Sequence, residues 1–213
     1  MPNAATARVA AQKKSLHAAE RNGERVVQAR AHYRALVGTL PVARLKFIDE
    51  CGVNLAMTRR FGRAPRGERV ADTVPQNYGR NVTVIGALSC HGIDAVMTIE
   101  GATDAAVFRA YVEHGLVPTL RPDDIVVLDN LGAHKVAGIR RAIEAAGAQV
   151  LYLPPYSPDC SPIEPCWSKL KTFLRAAKAR TRDALDAALK AALDTVTVSD
   201  ARGWFKHCGY ALH

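Results

Sequence analysis

The chain has 213 residues, enough for one sizeable domain with a short arm, and 48% are hydrophobic, which excludes general disorder. Lys and Arg total 29 against 20 Asp and Glu, a net +9 that favours a polyanionic partner without specifying any chemistry. Five cysteines with no Cys-x-x-Cys pair argue against a zinc module and fit a reduced cytoplasmic setting, and no run of about 18 apolar residues marks a membrane span.

Residues 1–40 read as a basic helical arm. Arg8, Lys13, Lys14, Arg21, Arg25, Arg30 and Arg34 outnumber Glu20 and Glu24, and good helix formers dominate. No strong apolar stripe runs through the segment, so loose attachment is expected. From Pro41 the texture becomes that of a globular domain, residues 41–213. "RLKFIDECGV", "RNVTVIGALSC" and "DAVMTIEG" read as three strands, the last two joined by a tight His91-Gly92 turn. "TDAAVFRAYVEHGL" is expected to be helical, with Ala106, Phe108, Tyr111 and Val112 on an apolar face and Gly115 as the stop.

"DIVVLDN" reads as a fourth strand and "AQVLYLP" as a fifth. The helix between them puts Val136, Ile139, Ile143 and Ala146 on one face and stops at Gly147. "SPIEPCWSKLKTFLRAAK" carries Ile163, Trp167, Leu170 and Leu174 at helical spacing. A last helix, "TRDALDAALKAALDTV", precedes an aromatic tail, "GWFKHCGY", whose Trp204, Phe205 and Tyr210 are read as packing residues. The fold class that follows is α/β: a mixed five-stranded sheet, a three-strand antiparallel meander plus two parallel strands, flanked by helices.

Three acids stand out. Asp129 follows an apolar run directly, at the carboxyl end of a parallel strand where ligands usually sit, although Asp is also an ordinary turn former there. Asp49 ends another strand, on the same face as Phe47 and opposite its competitor Glu50. Glu164 has a purely structural explanation: Ser161 as N-cap, Pro162 next and Glu164 three residues on spell a capping box. Against that, Ser168, Lys171 and Arg175 continue from Glu164 as a polar and basic stripe. If the three acids converge, hard oxygen donors with no Cys or clear His partner select Mg2+ or Mn2+. A pair of such ions suits in-line displacement at a phosphodiester.

The stretches "FIDECG", "RRFGRAPRGER", "IVVLDNLGAHK" and "LPPYSPDCSPIEPCWSKLK" occur in that order with helices between. With them, the chain resembles the catalytic part of DDE-superfamily transposases, in the bacterial insertion-sequence group related to mariner elements. The resemblance spans residues 8–210, with 35 positions from Asp129 to Glu164. It implies a ribonuclease-H-like fold with Asp49, Asp129 and Glu164 as catalytic residues and ligands of two Mg2+ (or Mn2+) ions. It further implies nicking of double-stranded DNA at the ends of a mobile element and strand transfer into target DNA, with TA the usual target. Homo-oligomeric assembly on DNA and a cytoplasmic, nucleoid-associated location go with it.

Asn130 and His134 match the family's loop after the second acid and are expected to order that loop. Arg59, Arg60, Arg63, Arg66 and Arg69, with Lys171 and Arg175, are expected to contact DNA phosphates. Two departures from the family pattern matter. Cys160-Ser161 stands where Leu-Asn or Phe-Asn is common, and residues 1–40 leave no room for the helix-turn-helix modules of full-length members, which suggests a separately encoded half. Two other readings share these features: a catalytically inactive remnant that only binds DNA, and a ribonuclease acting on RNA–DNA hybrids.

Overall fold

The computed structural model describes residues 18–130 and 137–212. Five strands form one sheet: β1 (Leu45–Val53), β2 (Val82–Ser89), β3 (Gly92–Glu100), β4 (Ile125–Leu128) and β5 (Gln149–Tyr152), in the spatial order β3-β2-β1-β4-β5. β1, β2 and β3 pair antiparallel, while β4 joins β1, and β5 joins β4, in parallel. The meander and the parallel pair are thus as the apolar runs suggest. Gly92, at φ +126°, makes the tight turn between β2 and β3.

Helices cover both faces: α1 (Glu24–Val37), α2 (Ala105–Tyr111), α3 (Ala137–Ala145), α4 (Ile163–Ala177), α5 (Arg182–Asp194) and α6 (Val198–His207). Alternation along β1 sorts the core into two layers. Leu45, Phe47, Cys51 and Val53 face α4, α5 and α6, joined by Ile125 and Val127 of β4. Ile48, with Val126 and Leu128, faces the other way, against Phe108, Tyr111, Ile139 and Ile143. Every second residue of β1 and β4 therefore points toward α4, and this parity decides where Asp49, in the middle of β1, and Asp129, just past β4, are directed.

Four expectations need correction. The described part of the arm is not loose: in α1 the residues Arg30, Tyr33 and Val37 are buried, while residues 1–17 lie outside the described residues. The Tyr33 hydroxyl donates to that of Tyr210 at 2.9 Å, and Tyr210 in turn donates to the Cys160 carbonyl at 2.6 Å. A stripe led by an arginine escapes a search for apolar spacing. The helix after Asp104 does not stop at Gly115, because a π-helical turn (Val112–Leu116) and a 3-10 turn (Val117–Thr119) extend it until Pro118, with no N–H to give, helps end it.

The aromatic tail is a sixth helix, begun by a reciprocal Thr197–Asp200 capping box, and Phe205 and Tyr210 are buried in the core. Conversely, the capping box read at Ser161 does not form. The Ser161 N–H is taken by the Pro158 carbonyl at 3.0 Å, and Pro162 is already helical. Glu164 is left without a capping role.

Arg30 also anchors the loop before α4, donating to both oxygens of Asp159 at 2.9 and 2.6 Å. That guanidinium holds the Asp159 carboxyl below its ordinary range. A depressed folded pKa stabilises above the unfolded value of about 3.9, and the contribution disappears as pH falls through the folded value. Arg30→Ala should cost about 2 kcal/mol at pH 7, the pair being only partly buried. Thermal unfolding as a function of pH should show the gap to the native chain narrowing below about pH 4.

Candidate active site

β1 and β4 run side by side with Phe47 level with Val127. Carried two residues further, the same register sets Asp49 level with Asp129, just past the last residue of β4. Parity turns both toward α4, whose first turn carries Glu164. The three acids line one cavity of about 440 Å³, together with Ile48, Asn130, Ser161 and the segment from Leu153 to Pro158. A larger recess, about 840 Å³, between α1 and the segment after α6 is lined by no carboxylate. Of these two recesses only the smaller is lined by acids.

Burial is the main force on Asp49 and pushes its carboxyl up to about 7, with the charges of Glu164 and Asp129 adding to the rise. Glu164 is also raised, chiefly by burial, with Lys171 opposing. Lys171 stands two turns along α4 from Glu164. The acids share the cavity without closing on one another. Among the described residues no three His, Cys, Asp or Glu side chains stand close enough together to hold an ion. In kind, however, the group fits a divalent cation: hard oxygen donors, clustered negative charge and, at Asp49, a carboxyl pushed up by burial and by the neighbouring carboxylates.

Trp167, one turn after Glu164, is legible in the sequence only as an apolar helix position. Its indole N–H donates to Asp49 Oδ2 at 3.1 Å. The ring fits because Gly86 faces Asp49 across the β1–β2 pair, where a Cβ would lie 2.6 Å from Trp167 Cη2. A lone glycine inside an apolar strand is a sequence sign of such close approach. Trp167 thus ties the helix bearing Glu164 to the strand bearing Asp49.

The other sequence candidates are dispersed. Asn130 lines the cavity, whereas His134 lies outside the described residues. Arg175 follows Lys171 one turn further along α4, toward the end of the helix remote from Glu164. Arg59, Arg60, Arg63, Arg66 and Arg69 lie in the exposed β1–β2 connection beside Phe61, which is 89% exposed. Both limbs of that connection are fastened to the α4–α5 junction. Arg180 donates to the Leu55, Met57 and Thr73 carbonyls, and Lys178 pairs with Asp72 at 2.7 Å, which also accepts from the Thr58 hydroxyl. These fastenings bracket the five arginines.

A mixed sheet of this order, with one acid in the middle of its first strand, where the sequence suggested a strand end, one just past its fourth strand and one on a following helix, is the ribonuclease-H-like fold. The family model of DDE superfamily endonucleases matches residues 44–186, about two thirds of the chain, and the chain belongs to that family. The fold is also that of the mariner transposase Mos1. Its paired-end complex with Mn superposes with a TM-score of 0.78 at 16% identity, covering 95% of this chain and 64% of that one. The Mos1 paired-end complex with left transposon end gives 0.76 at 15% identity, covering 93% and 63%. The isolated Mos1 catalytic domain gives 0.62 at 14%, covering 90% and 97%. This chain therefore spans slightly less than two thirds of the longer Mos1 chains. No curated protein matches it in sequence. Among the described residues no helix is long and apolar enough to cross a membrane.

Proposed function

We propose that this chain is the catalytic portion of a DDE transposase, which nicks double-stranded DNA at the ends of a mobile element and joins the freed 3′-hydroxyl to target DNA. The observation that carries this reading is the meeting of Asp49, Asp129 and Glu164 in one cavity, on elements far apart in sequence. These three residues would hold divalent cations, Mg2+ or Mn2+ and two in number. Bound there, the ions supply activation of the attacking oxygen and neutralisation of the leaving one.

The chain's own residues provide the frame. Trp167 orients Asp49, Lys171 balances the negative charge of the cleft and faces incoming phosphate, and Asn130 lines the approach. The loop arginines, with Arg175, grip the DNA backbone. Residues 1–40 act as a basic arm to a catalytic domain formed by residues 41–213. Two of the Mos1 structures that share this fold are paired-end complexes. By analogy this chain works as a homo-oligomer on paired ends, at the bacterial nucleoid.

The test is relaxation of supercoiled plasmid in Mg2+. Native protein is expected to nick, while Asp49→Asn, Asp129→Asn and Glu164→Gln are each expected to lose nicking and keep DNA affinity. Nicking by the triple variant at the native rate would overturn the proposal. Preference for RNA–DNA hybrid over duplex in competition would redirect it to ribonuclease activity. Replacing the five loop arginines by alanine should flatten the dependence of log affinity on log salt by about 0.9 for each phosphate no longer neutralised. An unchanged slope would remove the loop from the DNA interface.

A further inference from the structure

Among the described residues, three non-glycine residues adopt left-handed backbone conformations: Asp123, Tyr156 and Lys178. Two have ordinary explanations. Lys178 ends α4 with its N–H on the Leu174 carbonyl, the usual left-handed helix cap. Asp123 makes the turn into β4, its N–H on the Gly147 carbonyl, and Asp tolerates this conformation. Tyr156, at φ +54°, has neither excuse, since a bulky side chain is strained there.

Nor does the Tyr156 ring repay the strain by packing. It is 48% exposed between the buried residues Pro154 and Ser157. Among the described residues, no hydrogen bond holds its hydroxyl. The conformation is imposed by what surrounds it. Pro154, Pro155 and Pro158 restrict the backbone on either side. The Ser157 hydroxyl donates to the Pro155 carbonyl at 2.9 Å and accepts from the buried Arg30 guanidinium at 2.6 Å. Arg30 holds Asp159 as well. A helix from the other end of the chain thus props a strained loop whose exposed aromatic lines the cavity of Asp49, Asp129 and Glu164.

We propose that Tyr156 is a substrate-contacting platform: its ring stacks on an unpaired base next to the scissile phosphate and sets the position of the strand in the cleft. Every base presents a π-face, so such a platform accepts any sequence. A rigid, exposed aromatic beside clustered carboxylates suits a nucleotide, whose phosphate goes to the acids and whose base needs an apolar seat. The inference rests on the nuclease reading above and adds the base-stacking surface that reading lacks.

The probe is a short duplex with frayed ends, carrying 2-aminopurine in the unpaired strand. Native protein is expected to quench its fluorescence on binding. Tyr156→Gly is expected to bind about 5- to 100-fold more weakly without quenching. The same variant should unfold a few degrees higher, because glycine relieves the strain. Tyr156→Phe, which keeps the ring, should rescue quenching. Native-like binding and quenching by Tyr156→Gly would overturn the platform, as would a lowered unfolding temperature, which would mark Tyr156 as a folding residue. Glu164→Gln separates the two ideas: if it abolishes nicking while Tyr156→Gly behaves as native, the nuclease stands and the platform falls. If it nicks normally, the nuclease reading falls first.

Discussion

Asp49→Asn protein, stripped of divalent cations at pH 8, is expected to unfold at a higher temperature than the native chain while nicking no DNA. Burial and the neighbouring charges of Glu164 and Asp129 lift the Asp49 carboxyl to about 7 in the folded protein. An acid whose folded pKa lies above its unfolded value of about 3.9 holds an extra proton in the native state between the two. Its contribution to stability therefore falls as pH rises through that window. The full shift corresponds to about 4 kcal/mol at most. Relaxation around a partly solvated group reduces this, and about 2 kcal/mol is expected, roughly 4–8 °C for a chain of this size. The gap should close below about pH 4, where both side chains are neutral. Saturating Mg2+ should reverse the order, because the ion stabilises only the chain that can bind it. A variant less stable than native at pH 8 without metal would show that the carboxylate is under no electrostatic stress.

Gly86→Ala is expected to slow nicking about 100-fold while leaving DNA affinity unchanged. The new Cβ would lie 2.6 Å from Trp167 Cη2 and 3.2 Å from Cζ2, and the ring is wedged in the core with little room to yield. Overpacking of this kind costs about 1–3 kcal/mol. The larger effect is on geometry: a displaced ring withdraws its N–H from Asp49 Oδ2, now 3.1 Å away, and the carboxylate loses its orientation. Trp167→Phe separates the two effects, since it keeps most of the packing and removes only the donor. It should be slow in nicking with a smaller loss in unfolding temperature. A Gly86→Ala protein that nicks at the native rate would show that the indole does not position the acid.

The sheet and the placement of Asp49 and Asp129 on one side of it are legible in the sequence because both follow from period-two patterning. Runs such as Ile125 to Leu128 mark strands, and residues continuing the parity of Phe47 and Val127 must emerge toward one helix layer. Glu164 is harder, since its local sequence spells a capping box that the fold declines to make: a 3-10 turn takes the Ser161 N–H first. Pairings between residues distant in sequence leave no local signal. Trp167 sits at a normal apolar position of α4, and its bond to Asp49 exists only because a glycine on another strand makes room. Arg30 reads as one more solvated cation and is instead 7% exposed, bound to Asp159. The sixth helix is obscured for a local reason: its Thr197–Asp200 box is readable, but the aromatic residues after it resemble an irregular tail.

The fastening of the β1–β2 connection gives the basic loop a mechanical partner. Arg180 and Lys178 grip its two limbs at the spot where α4 ends, and the first turn of α4 carries Glu164. A load placed on the arginines between the two grips is delivered to the far end of a stiff, four-turn rod, not lost in slack chain. The rod is packed along its length by Trp167, Leu170 and Leu174, with Glu164 at its opposite tip.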